Sequence, residues 1–145
     1  MRISFILIAI ALGSLTLFSY STLQSQAESP VETETAMATV VGTLTYSGER
    51  DLPEGAIAYI TLADVSPLQD SSASILARQT ITQPASNPII FELIYRSGQI
   101  NPRHLYALQA QITLDGQVIY RSRSAYPVIT QGHPNRAEIR AELVD

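Results

Sequence analysis

Two histidines, His104 and His133, are the chain's groups best suited to carry a proton near neutral pH. Each falls in a stretch read as a turn with a proline close by, in NPRHLY and QGHPN. Combined with Asp64 or Asp115 and one of the many serines, either supplies the parts of a nucleophilic triad, but there is no G-x-S-x-G elbow to focus one. Neither histidine has a second His, Asp or Glu at ligand spacing in its own loop, as a metal site needs. Asp64 and Asp70 flank VSPLQ without the alternating oxygen ligands of a calcium loop. Structural turn roles account better for His104, His133, Asp64 and Asp70. The seven glycines are dispersed among turns, so no phosphate-binding loop is present. No residue is assigned a catalytic, cofactor-binding or metal-binding role, and no cofactor is expected.

Arginine is the remaining chemically pointed residue. All nine basic residues are arginine in a chain of net charge -4, a balance that offers no general attraction to phosphate backbones and argues against nucleic acid as a partner. Arg121 and Arg123 project from one face of a single predicted strand, with Arg103 nearby in sequence terms. Guanidinium forks pair with carboxylate or phosphate, so Arg103, Arg121 and Arg123 are the candidate partner-binding residues. The plainer reading is a solvated strand face that guards against edge pairing. Tyr106, at the entrance to a late strand, is expected to form a tyrosine corner, its ring in the core and its hydroxyl bonded to upstream backbone.

At 145 residues, 46% of them apolar, the chain provides one domain beyond its leader. A chain of this length buries roughly two thirds of its unfolded surface and needs neither disulfides nor metal to hold a core. It has no cysteine, which excludes a disulfide framework, a thiolate site and a lipidated cysteine.

Residues 1–27 place Arg2 before an apolar run from Ile3, the order of a secretory signal. Ser25 and Ala27 suit cleavage after Ala27. The alternative is an uncleaved anchor, since Ile3 to Tyr20 approaches the roughly 18 residues that cross a membrane, although Gly13, Ser14, Thr16 and Ser19 weaken it. On both readings the remainder lies outside a membrane, in the periplasm or on the extracytoplasmic face of the inner membrane. Residues 28–37, ESPVETETAM, read as a disordered acidic linker.

From Ala38 to Asp145 the hydrophobic period is two, which predicts an all-β domain. ATVVGTLTY sets Val40, Gly42, Leu44 and Tyr46 on one face. AIAYITLAD is apolar in both phases and is expected to be a central strand, whereas LARQTIT is more polar and suits an edge. IIFELIY places Ile89, Phe91, Leu93 and Tyr95 inward and Glu92 outward. LYALQAQITL alternates Tyr106, Leu108, Ala110, Ile112 and Leu114 with polar residues. Asp115-Gly116 then supplies a type I′ turn into QVIYRSR. The last run, RAEIRAELV, has Ala137, Ile139, Ala141 and Leu143 on one face; this pattern also admits a short helix. Seven short strands predict a two-layer antiparallel β-sandwich of the immunoglobulin-like kind, with an open β-barrel as the alternative.

The segments VVGTLTY, DLPEGAIAYITLADVS, IIFELIY, INPRHLYALQAQIT and SRSAYPVIT resemble the YbaY/YscW family of bacterial envelope lipoproteins over about 105 residues, nearly the whole folded part. The resemblance implies a β-sandwich outside the inner membrane. Its better understood relatives are type III secretion chaperones, or pilotins, which bind a secretin subunit; the YbaY branch has no established activity, and no catalytic residues carry over. Cargo-ferrying members are anchored by a lipidated cysteine after the signal. This chain has none, and an intact leader would hold its domain at the inner membrane instead. The expected function is therefore a non-enzymatic exported module that binds another envelope protein, through an edge strand or a groove. The alternative is a small-molecule binder or hydrolase using the turns at His104 and His133.

Overall fold

A computed structural model of the chain describes residues 36–48, 51–66 and 74–145. The leader and nearly all of the linker lie outside these residues. Met37 opens the first strand, one position earlier than the pattern suggested. Eight strands follow one another: β1 (Met37–Tyr46), β2 (Ile57–Asp64), β3 (Ser74–Thr82), β4 (Ile89–Arg96), β5 (Tyr106–Leu114), β6 (Gln117–Ser122), β7 (Tyr126–Val128) and β8 (Arg136–Leu143). A single 3₁₀ turn, Ser97–Gln99, leaves β4.

Alternation decides most of these elements. In β4 every odd-numbered residue from Ile89 to Tyr95 is buried and every even-numbered one is exposed, as a sheet with one wet face requires. β8 repeats the pattern with Ala137, Ile139 and Ala141 inward, which settles the helix alternative in favour of a strand, but Leu143, expected on the same face, is 60% exposed where the strand ends. In β2, Ala58, Ile60 and Leu62 are fully buried, while Ile57, Tyr59 and Thr61 are half-buried. Its second apolar phase is thus only partly covered. The β5–β6 hairpin closes at Asp115 and Gly116, whose φ values of 51° and 78° are the left-handed pair of a type I′ turn.

All eight strands belong to one sheet, in the order β3-β2-β5-β6-β8-β1-β4, with β7 paired to β5. The expected two layers are not separately bonded. β8 runs parallel to β1, from Val41 opposite Arg136 to Tyr46 opposite Ala141, and antiparallel to β6, so it stitches the two halves together. The ends of the order then approach each other. The Gln79 amide oxygen on β3 accepts from the Glu92 backbone N–H on β4 at 2.8 Å. The result is a nearly closed barrel around one core, with Phe91, Ile60, Leu108 and Ile139 among its buried side chains.

Candidate partner-binding surface

The β2–β5 register sets Asp64 opposite Tyr106 and so brings the end of β2 to the NPRH turn. The His104 Nδ1 lies 2.6 Å from Asp64 Oδ2, a pair 40 positions apart in sequence. Ser66 completes the cluster: its backbone N–H donates to Asp64 Oδ1 at 3.0 Å, and its hydroxyl oxygen accepts from the Leu105 N–H at 2.9 Å. Burial alone would push the Asp64 carboxyl up. The Ser66 hydroxyl and N–H, followed by His104, outweigh that effect and hold it below the usual carboxylate range.

Thr130 links the two histidine turns through backbone. Its hydroxyl donates to the His104 carbonyl at 2.7 Å, and its own carbonyl accepts from the His133 N–H at 3.0 Å. Among the described residues no serine or threonine hydroxyl hydrogen-bonds the His104 ring, and no group of three or more His, Asp and Glu stands ready for a metal. The pairing of Asp64 with His104 gives both residues a structural use, fastening the turn to the barrel. Tyr106 serves the same end. Its ring is buried, and its hydroxyl accepts from the Asn101 N–H at 2.9 Å, forming the corner its position suggested.

The arginines separate. The strand expected to carry both Arg121 and Arg123 ends at Ser122, so Arg123 lies just beyond β6; with Arg121 and Arg78 of β3 it lines a groove of about 440 Å³ over β2 and β5. Arg103 is not part of it. It sits exposed in the 101–104 turn, where its N–H bonds the Asn101 side chain and its carbonyl accepts from Gln131. Arg123 is ion-paired with Glu142 of β8.

A second surface went unread in the sequence. Ile90 and Ile94 project from the outer face of β4 with 77% and 56% of their area exposed, and Met37 at the start of β1 is 58% exposed. Because the Glu92 N–H points away from β1 and towards Gln79, strand alternation directs the backbone groups of Ile90 and Ile94 to the same edge, the one that faces β3. An apolar groove of about 330 Å³ adjoins Ile90, walled by Val41, Thr43, Arg136 and Ala137. The available signal was that isoleucine occupies both phases of IIFELIY, when a strand wet on one face needs it in only one.

Comparison with known proteins relates the chain to a family, a bacterial lipoprotein and a solved structure. The family model described as type III secretion system lipoprotein chaperone (YscW) matches residues 35–141. The uncharacterized lipoprotein YbaY of Escherichia coli is 30% identical over 94 residues, which are 64% of this chain and 49% of that protein. The chain thus spans about half the length of the curated relative it matches. Among solved structures, an alternative pilotin from the type II secretion system of Vibrio cholerae superposes with a TM-score of 0.71 at 28% identity, covering 76% of this chain and 99% of that one.

Proposed function

From the premise that the chain belongs to the type III secretion system lipoprotein chaperone (YscW) family, we propose that it is an exported, non-enzymatic module that binds an envelope secretion protein in a chaperone-like way. The observation that carries this reading is the pair of large apolar side chains, Ile90 and Ile94, exposed on the outer face of β4. Large apolar side chains exposed together on one sheet face favour an apolar face of a partner. The pilotin title of the structural neighbour and the lipoprotein name of the E. coli relative support an address in the cell envelope. With no cysteine to lipidate, residues 1–27 serve as a cleaved signal or as a retained anchor at the inner membrane.

The test is crosslinking capture from envelope extract, using the full chain and an Ile90→Asp/Ile94→Asp variant. Wild type retains an envelope protein and the variant, folded to the same secondary structure, loses it. Failure of the wild-type chain to retain any partner removes the reading. Mass spectrometry of the mature N-terminus separates a freely diffusing domain from a tethered one.

A further inference from the structure

We propose that the outer face of β3–β2–β5–β6 is a second binding site, which clamps an extended segment bearing two carboxylates between Arg78 and Arg121. The sheet register builds it. Thr61 stands opposite both Arg78 and Gln109; Tyr59 stands opposite Gln111, which in turn faces Arg121. Thr61, Gln109, Tyr59 and Gln111 therefore form a polar floor, with an exposed arginine on the wall at either side.

Charge marks this face as special. Acidic residues outnumber basic ones thirteen to nine in the chain, yet among the described residues no Asp or Glu lines the groove. Glu142 lies opposite Arg121 on β8 but is ion-paired with Arg123. Among the described residues no carboxylate pairs with Arg78 or Arg121; Arg78 has only a long contact from Nε to the Thr61 hydroxyl, 3.4 Å. Two guanidinium forks that form no ion pair among the described residues are thus held over a floor of amide and hydroxyl groups able to bond a peptide backbone.

The dimensions select the ligand. From β3 to β6 is three strand spacings, and the Arg78 and Arg121 rows are offset by two residues, so the diagonal is about 16 Å. An extended chain with its side chains covers this in about four to five residues, by the reach of about 3.4 Å per residue. Carboxylates separated by three residues reach both walls. A groove between two walls admits one chain, whereas a bilayer meets the parts of a surface that protrude, so the acidic protein segment fits better than anionic lipid. Ile75, exposed at one end of the groove, offers an aliphatic contact beside it.

The experiment measures fluorescence anisotropy of a labelled Ser-Glu-Thr-Gly-Thr-Glu-Ser peptide with the full chain in nonionic detergent. Binding is expected to saturate, to weaken roughly tenfold between about 50 and about 200 mM salt, and to vanish when both glutamates are glutamine. Arg78→Gln and Arg121→Gln each weaken it by about fivefold or more; both together abolish it. Arg140→Gln, outside the groove, leaves it unchanged, and circular dichroism verifies that each variant is folded. The groove shares no lining residue with the β4 stripe, so Ile90→Asp/Ile94→Asp retains peptide binding and the two sites are read separately. The proposal is overturned if the glutamine peptide binds equally well, if the double arginine variant binds like wild type, or if phosphatidylglycerol vesicles bind through these arginines while the peptide does not.

Discussion

Gly42 and Phe91 face each other across the β1–β4 ladder, and the phenyl ring occupies the space that a side chain at position 42 would need. A Cβ there would lie 2.6 Å from Phe91 Cζ and would also run into the Ala137 carbonyl oxygen. Gly42→Ala is expected to destabilise the domain by about 3 kcal/mol or more, because backbone on β8 has to move as well as the ring. Urea unfolding measures this. Combining it with Phe91→Leu leaves the carbonyl in place, so the double variant does not regain wild-type stability.

Asp64 gives the fold a definite acid sensitivity. Its carboxyl titrates below the usual range in the folded state, so the stability it contributes is fully present above about pH 4 and is lost as pH falls through the lower folded value. Asp64→Asn is expected to cost about 1–3 kcal/mol at neutral pH, since the acceptor facing His104 Nδ1 becomes less suitable. The deficit relative to wild type should shrink as pH is lowered below about 4. A pH series of urea midpoints decides it, and a constant deficit throughout the series would contradict the assignment.

Tyr106→Phe removes the acceptor for the Asn101 N–H while leaving the ring in the core. A loss of about 1 kcal/mol is expected. Amide hydrogen exchange should show the change at Asn101 and not in β4.

Gly116 and Gly98 make a contrast in backbone rather than packing, since a Cβ at either position meets nothing within 4 Å. Gly116 has φ +78° in the I′ turn, so Gly116→Ala should cost about 1 kcal/mol. Gly98→Ala, in an exposed 3₁₀ turn without positive φ, should be neutral or stabilise by a few tenths of a kcal/mol. Thermal unfolding of the two variants distinguishes the cases.

What could be read in the sequence was what local chemistry encodes. Alternation in IIFELIY marks the inward face of β4, and that in RAEIRAELV marks the inward face of β8 except at its last position, Leu143, which is exposed; Asp115-Gly116 announces its own turn because both residues tolerate positive φ. The partners of the strands were not legible. No local signal tells β8 to lie parallel to β1 rather than to close a second layer, and that one choice separates a nearly closed barrel from two bonded sheets. The same limit explains the candidate surface. Arg121 and Arg123 are near each other by their spacing, although β6 ends between them at Ser122, and Arg78 joins them only through the β3–β2–β5–β6 order. Asp64 reaches His104 only through the β2–β5 register.

The parallel β1–β8 pair also orders folding in time. β1 precedes the rest of the sheet in the chain, yet its seat between β4 and β8 is complete only when Arg136–Leu143 is available. A chain that emerges from a translocation channel amino end first carries Val41–Tyr46 with one side open until β8 follows. Closure is therefore a late, long-range event, and β8 functions as the keystone strand: a chain truncated before Arg136 would leave both β1 and β6 exposed as edges.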